Sequence, residues 1–253
     1  MTVLLAASGV ACSAGANTNH AGGSDSAPPK TVGHSQSNGG AVAPSSTARG
    51  VVLFAGTSLT AGLGLSPDSA YPMLIQRKID SAGLPFEVVN AGVSGETSSG
   101  LVDRLAWLLR ARFDVLVVET GANDGLRGIP VSTLRANLDT AVDRIKAKRP
   151  DATIALVQME ALPNLGAKYT TEFHSVYPSI AAAKGVALIP FLLNGVAGQR
   201  KLNQADGVHP NNAGERIVAE NVWRSLRPIL EVRTTGGGRR TTGDGRPTMG
   251  QAR

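Results

Sequence analysis

The stretch VVLFAGTSLTAGLG, residues 51–64, runs from a continuous apolar segment straight into a tight turn that carries a serine. An apolar run without polar alternation is typical of a parallel β-strand that is covered on both faces. In open parallel sheets, active sites lie beyond the carboxyl ends of the strands. The stretch therefore predicts a buried strand that presents Ser58 at a candidate active site.

The same pattern continues along the chain, where short apolar runs alternate with stretches of helical periodicity. The further runs are FEVVNA (86–91), DVLVVET (114–120), ATIALVQM (152–159) and VALIP (186–190). Between them, Ser132 and Gly185 stand where a helix N-cap and a helix end are expected. This alternation predicts an α/β protein, a three-layer α/β/α sandwich on a mostly parallel five-stranded sheet, with every strand apolar on both faces.

By composition the chain divides into four segments. Residues 1–16 hold the apolar stretch VLLAASGVA and then Cys12, which resembles a bacterial lipoprotein signal with Cys12 lipidated, although the following AGA offers an ordinary secretory cleavage site instead. Residues 17–50 predict a disordered Ser/Gly/Ala/Pro-rich tether, and residues 231–253 predict a disordered basic tail. The folded domain is predicted over residues 51–230, in an exported protein that is periplasmic, anchored in the cell envelope or secreted.

The net charge of +6 does not indicate a nucleic-acid partner, because the charge is unevenly placed. Residues 51–230 hold 18 Lys and Arg against 16 Asp and Glu, and the surplus is mostly arginine in the predicted tail. No basic stripe carries interleaved aromatic residues, and no His, Cys or acidic cluster has metal-ligand spacing. We therefore expect no nucleic acid, no metal and no cofactor.

Four polar clusters follow the predicted strands and converge at one edge of the sheet. Acyl transfer needs a nucleophile, a base, a group that orients the base, and donors for the oxyanion. Ser58 can be the nucleophile and His209 its base, with Asp206 three residues earlier to hold the imidazole tautomer. The backbone N–H of Gly95 and the side-chain amide of Asn123 are candidate oxyanion donors. Each feature alone indicates a turn or a cap, but their joint placement favours a hydrolase.

The blocks GTSL, NAGVSGET, GAND and DGVHP resemble, in this order, the four sequence blocks of the SGNH (GDSL-type) hydrolases. The likeness covers residues 51–230, and it is closest to bacterial periplasmic esterases with thioesterase, lysophospholipase and arylesterase activities. It implies a flavodoxin-like fold, no cofactor or metal, and ester substrates such as aryl esters, acyl-CoA or lysophospholipids. It assigns catalysis to Ser58, Asp206 and His209, and the oxyanion hole to Ser58, Gly95 and Asn123.

The sequence departs from the family pattern at Thr57, where these hydrolases usually have aspartate. In the family that aspartate is mainly structural, and the carboxylate that orients the histidine belongs to the last block, here Asp206. The Thr57 hydroxyl can accept a hydrogen bond at a helix start, as a capping residue does. We therefore expect Ser58 to remain a competent nucleophile in a slightly altered turn.

The loops 125–130 and 162–169 are predicted to form the walls of an acyl pocket, with glycines that allow them to move. His174 falls in a helical stretch and is assigned to packing or exposure. The expected partner is a small-molecule ester or thioester, bound by a monomer. Two alternatives stay open: a carbohydrate O-deacetylase on the same scaffold, and a non-catalytic lipid- or carbohydrate-binding module. The residues predicted to contact substrate are Gly125, Leu126, Arg127, Leu162, Pro163 and Asn164.

Overall fold

The computed structural model describes residues 49–236. The predicted signal with Cys12, residues 17–48 of the predicted tether, and residues 237–253 lie outside the described residues. None of the helices in the described range is both long enough and apolar enough to cross a bilayer.

The described residues contain one five-stranded sheet whose neighbouring strands are all parallel, as the alternating pattern predicted. Its order is β2-β1-β3-β4-β5, so the chain passes from β1 to one side and then crosses to the other. This reversal creates a topological switch point beside β1, where α/β sheets bind their ligands. The strands are β1 (Gly50–Gly56), β2 (Phe86–Gly92), β3 (Val115–Glu119), β4 (Thr153–Val157) and β5 (Ala187–Ile189).

Helices cover both faces of the sheet and complete the predicted α/β/α sandwich. On one side α2 packs against α7, and on the other α5 packs against both α3 and α6. Short 3₁₀ turns occur at Pro67–Ser69 and Pro163–Leu165. The helices are α1 (Ser58–Ala61), α2 (Tyr71–Ser81), α3 (Ser98–Leu108), α4 (Ala122–Leu126), α5 (Val131–Lys148), α6 (Ala167–Lys184) and α7 (Asn212–Gly236).

The inner strand β1 is buried because it has strands on both sides and helices above and below. Val52 and Phe54 have no exposed surface, and full burial of such a side chain stabilises the fold by about 1.5–3 kcal/mol. Gly56 at the end of β1 is level with Gly92 at the end of β2. The loops that follow these strands therefore open at the same edge of the sheet.

The prediction that every strand is apolar on both faces is wrong for β2. This strand lies at the edge of the sheet, and Glu87, Val89 and Asn90 are exposed. The side chains of β2 are covered less completely than those of the inner strands because β2 has a neighbouring strand on one side only.

The predicted cap at Ser132 is also wrong. Helix α5 begins at Val131, so Ser132 lies within its first turn. The carbonyl of Pro130 accepts hydrogen bonds from the backbone N–H groups of Thr133 and Leu134, and no side chain caps this end. Pro130 itself occupies the N-cap position, with φ −52° and ψ 133°, so the cap falls two residues before Ser132.

Both predicted domain boundaries need correction. Gly50 belongs to β1 rather than to a tether, and residues 231–236 continue helix α7 rather than beginning a disordered tail. Arg233 attaches this last part of the helix to the sheet: its guanidinium donates to the carbonyl of Asp151 at 3.0 Å and to Oγ1 of Thr153 at 2.9 Å.

Candidate active site

Ser58 is the first residue of α1 and lies directly beyond the carboxyl end of β1. Thr57 is the N-cap of this short helix, in an extended conformation, and its Oγ1 accepts a hydrogen bond from the backbone N–H of Leu59 at 3.4 Å. The turn requires a glycine before Thr57, because a Cβ on Gly56 would lie 2.0 Å from Oγ1 of Thr60. The hydrogen bond from the backbone N–H of Leu59 confirms the expectation that Thr57 acts as a cap.

Beneath this turn lies the carboxyl of Glu119, which sequence reasoning missed. It ends β3, has no exposed surface, and accepts hydrogen bonds from the backbone N–H of Thr57 at 2.7 Å and from its Oγ1 at 2.9 Å. The hydroxyl of Thr60 donates a third bond to it at 2.9 Å. Burial raises the pKa of Glu119, and these donors oppose that rise. The only indication of this role in the sequence was that an acidic residue ends an otherwise apolar strand.

His209 lies between Ser58 and Asp206. Its Nε2 is 2.9 Å from Oγ of Ser58, and its Nδ1 is 2.7 Å from Oδ2 of Asp206. The other carboxylate oxygen, Oδ1, accepts the backbone N–H groups of Val208 at 2.9 Å and His209 at 3.0 Å. These backbone donors, followed by the imidazole, lower the pKa of Asp206 to about 2. The carboxylate is thus ionised at neutral pH and oriented toward the imidazole.

Gly95, in the loop after β2, and Asn123, in the first turn of α4 after β3, approach the same space. Gly95 has φ +79°, a conformation that favours glycine, and its carbonyl accepts a hydrogen bond from Nη2 of Arg127 at 3.0 Å. Nδ2 of Asn123 donates to the carbonyl of Glu96 at 2.9 Å. An amide nitrogen carries two hydrogens, so one of them orients the group and the other is available to an oxyanion.

An apolar cleft of about 570 Å³ opens beside these groups. Ser58, Gly95, Asn123 and His209 all lie on its surface, so the structure brings the predicted nucleophile, base and oxyanion donors together. Met159 after β4 also lines the cleft, although the sequence analysis did not select it. The other apolar lining residues that it missed include Leu63, Phe191, Leu193 and Val208.

Four of the six residues predicted to contact substrate line this cleft, namely Gly125, Leu126, Leu162 and Pro163. Arg127 and Asn164 are not among the residues that line it. The guanidinium of Arg127 is bound to the Gly95 carbonyl instead, and Asn164 is exposed on the 3₁₀ turn. His174 is exposed on α6, as expected, and hydrogen bonds to Glu160.

The fold and this arrangement define a class: a hydrolase of flavodoxin-like α/β/α architecture, with a serine, a histidine and an aspartate at the carboxyl edge of a parallel sheet. Residues 54–217 match the model of the GDSL-like lipase/acylhydrolase family. The chain belongs to this family, and it is an ester-hydrolysing enzyme.

Individual relatives agree with the family match. Esterase TesA from Pseudomonas aeruginosa is 40% identical over 180 residues, which cover 71% of this chain and 89% of that protein. Thioesterase 1/protease 1/lysophospholipase L1 from Escherichia coli is 33% identical over 180 residues, covering 71% of this chain and 84% of that protein. A crystal structure of TesA has a TM-score of 0.67 at 38% identity and covers 71% of this chain and 99% of that one. The resemblance to the thioesterase and arylesterase branch is confirmed.

Proposed function

We propose that Ser58, His209 and Asp206 form the catalytic triad of a carboxylic ester and thioester hydrolase. The observation that carries this proposal is the continuous hydrogen-bonded chain from Oγ of Ser58 through the imidazole to Oδ2 of Asp206, 2.9 Å and 2.7 Å long. This chain opens on an apolar cleft, which can hold an acyl group. The fold thus supplies both a nucleophile with its base and a place for the substrate.

The reaction proceeds through an acyl-enzyme. Oγ of Ser58 attacks the substrate carbonyl carbon while Nε2 of His209 takes the hydroxyl proton. Asp206 holds Nδ1–H and stabilises the imidazolium, and its low pKa keeps it anionic throughout. The leaving alcohol or thiol departs with the proton from His209, and water then repeats the attack to release the acid.

The oxyanion that forms in each half-reaction is bound by three neutral donors. These are the backbone N–H groups of Ser58 and Gly95 and the side-chain amide of Asn123. Donors fixed in advance cost no reorganisation when the negative charge develops, and each one is worth roughly 10²–10³ in rate. The bond from Asn123 to the Glu96 carbonyl holds its amide in place before substrate arrives.

The apolar lining supports small-to-medium acyl chains, as in aryl esters, acyl-CoA or lysophospholipids, as the substrate class. A carbohydrate O-deacetylase would need polar groups to bind sugar hydroxyls, and most side chains along this cleft are apolar. A module that only binds lipid or carbohydrate would not need the aligned Ser58–His209–Asp206 chain.

A fluorophosphonate probe and a p-nitrophenyl ester test the triad together. We expect the probe to modify Ser58, and Ser58→Ala to lower turnover of the ester by several orders of magnitude. Ser66→Ala is the matched control, since Ser66 is exposed and its side chain caps no helix. Modification of another serine, or an active Ser58→Ala enzyme, would remove Ser58 from the mechanism.

Export and a monomeric state complete the proposal. The apolar N-terminal stretch that precedes Cys12 supports export alone. Mass spectrometry of the protein from its native cell would detect a lipid on Cys12. An unmodified mature chain beginning near residue 17 would favour ordinary secretion, and size-exclusion chromatography with light scattering would measure the oligomeric state.

A further inference from the structure

Among the described residues that line the cleft, Glu160 is the only Asp, Glu, Lys or Arg. It follows β4, next to Met159 and Ala161, and its side chain is 29% exposed. An ionised group on an apolar wall is costly unless it is compensated, so a carboxylate here needs a reason.

The contacts of Glu160 orient its carboxylate, and none of them comes from a Lys or Arg that would neutralise its charge. Nε2 of Gln158 and Nδ1 of His174 both lie 2.7 Å from its Oε1, and they are 3.1 Å from each other. Among residues 49–236, no hydrogen bond reaches Oε2 and no Lys or Arg forms an ion pair with this carboxylate. One oxygen is therefore anchored and the other remains free for a ligand.

A strong cation, Arg127, lies on the other flank of the nucleophile. Arg127 is bound to the carbonyl of Gly95, which follows β2, whereas Glu160 follows β4. Strands β1 and β3 lie between these two positions. The β4 end of the cleft is thus negative, and its apolar walls strengthen the field of the carboxylate.

The sheet also sets the distance between this carboxylate and the reacting bond. Ser58 follows β1 and Glu160 follows β4, with β3 between them. Two strand spacings of about 4.8 Å separate the ends of β1 and β4 by roughly 10 Å. A hydrogen-bonding group on the substrate would therefore lie several atoms away from the scissile carbonyl when it reaches Oε2.

We propose that Glu160 is a specificity-determining residue that selects esters carrying a protonated amine at the far end of the cleft and rejects esters carrying an anion there. This inference rests on the proposed hydrolase function and names the charge that the site prefers. An ammonium group donates a charge-assisted hydrogen bond to Oε2, whereas a carboxylate at the same place is repelled by it. Because Glu160 is partly exposed, we expect a preference of about tenfold rather than a larger one.

The first arm of the test places the charge on the acyl side. At about pH 8, the p-nitrophenyl esters of 6-aminohexanoic, hexanoic and adipic acid present a cationic, a neutral and an anionic chain end. We expect the ratio of kcat/KM for the cationic ester to that for the anionic ester to fall about tenfold in Glu160→Gln. Glu160→Lys should reverse the preference.

The second arm places the charge on the alcohol side. Choline hexanoate and 3,3-dimethylbutyl hexanoate have nearly the same shape and differ in the charge of the leaving group. The quaternary ammonium of choline has no N–H, so this arm tests the charge preference of Glu160 without the hydrogen bond. A preference for the choline ester that Glu160→Gln removes, with no discrimination in the first arm, would assign the carboxylate to the leaving group. The same loss in the first arm alone would assign it to the acyl chain, and either result supports the proposal.

The control variant is Glu172→Gln, which removes an exposed carboxylate of α6 that does not line the cleft. It should leave all these ratios as they are in the wild type, and titration with a fluorophosphonate would count active sites in each variant. A wild type that hydrolyses the neutral esters without charge discrimination in either arm would overturn the role of Glu160 alone. A wild type that hydrolyses none of the esters would overturn the proposed function, and this inference with it.

Discussion

The hydroxyl of Thr57 donates a 2.9 Å hydrogen bond to Oε2 of Glu119, a fully buried carboxyl at the end of the neighbouring strand β3. The same oxygen of Glu119 accepts the backbone N–H of Thr57 at 2.7 Å. The residue before the nucleophile is therefore attached to the sheet by both its backbone and its side chain. A neutral residue at this position adds no second negative charge beside the buried Glu119.

Thr57→Asp should make the stability of the protein more dependent on pH. It should change kcat by less than tenfold from the wild-type value, which corresponds to under about 1.4 kcal/mol of activation barrier. Two carboxyls about 3 Å apart cannot both ionise, so the folded variant holds an extra proton. The unfolded chain releases that proton above about pH 4, so stability should fall as pH rises by up to about 1.4 kcal/mol per unit.

Thr57→Asn is the matched control for this substitution, because it has nearly the shape of aspartate without its charge. Denaturant unfolding between about pH 5 and pH 8, together with turnover of a p-nitrophenyl ester, measures both effects. An Asp variant whose kcat rises by orders of magnitude, beside a nearly silent Asp206→Ala, would show that the orienting acid belongs at position 57.

Asp206→Asn should lower kcat by roughly 10³–10⁴, because an amide favours the wrong imidazole tautomer and cannot stabilise the imidazolium. In the wild type, the pKa of Asp206 is about 2, so the acidic limb of the pH–rate profile above about pH 4 should not report this carboxyl. Asp68→Asn, at an exposed position, is the control. Steady-state kinetics that show less than a tenfold loss in Asp206→Asn would contradict its assignment.

Asn123→Ala should lower kcat by roughly 10²–10³ with a small effect on KM, because its amide acts mainly on charge that develops in the transition state. The lost bond to the Glu96 carbonyl should also cost about 1 kcal/mol of stability, which unfolding experiments would measure separately. Asn194→Ala, at an exposed position, should change neither quantity. A near-normal kcat would exclude Asn123 from the oxyanion hole.

Glu215→Gln should flatten the pH dependence of stability above about pH 5. Burial raises the pKa of Glu215 from 4.5 to about 8, against a hydrogen bond from the backbone N–H of Tyr71. Between these values the folded state keeps a proton that the unfolded state loses, so wild-type stability falls as pH rises, by up to about 1.4 kcal/mol per unit. Unfolding curves at several pH values would detect the change, and an unaltered slope would contradict it.

Arg233→Ala should lower the free energy of unfolding by about 1 kcal/mol, because it removes the hydrogen bonds to Asp151 and Thr153. A fragment of residues 49–236 should accordingly be more stable than one of residues 49–230, and both should hydrolyse ester. Thermal unfolding of the two fragments measures the difference. Equal melting temperatures would show that the last turns of α7 contribute nothing to the domain.

The alternation of strands and helices, the position of the turn and the resemblance to the family could all be predicted from local patterns, whereas the order of the strands in the sheet was not. The apolar run ending at Gly56 and the blocks around Asn123 and His209 are each a short continuous stretch of sequence, so each can be recognised on its own. Strand ends meet at one edge of any parallel sheet, so the convergence of these blocks needed no coordinates. Boundaries were less predictable, as Ser132 and residues 231–236 illustrate, because competing contacts decide them.

Only the tertiary structure showed what surrounds the nucleophile. Glu119 is 61 residues from Ser58 along the chain, and its contact with Thr57 depends on β1 and β3 being neighbours in the sheet. The free oxygen of Glu160 likewise depends on Gln158 and His174, which lie on different elements. Sequence by itself determined the fold, the reaction and the residues of its motifs, because these follow from short-range pattern. The charge and shape of the cleft were decided by packing between segments that are distant in sequence, so no local sequence pattern could predict them.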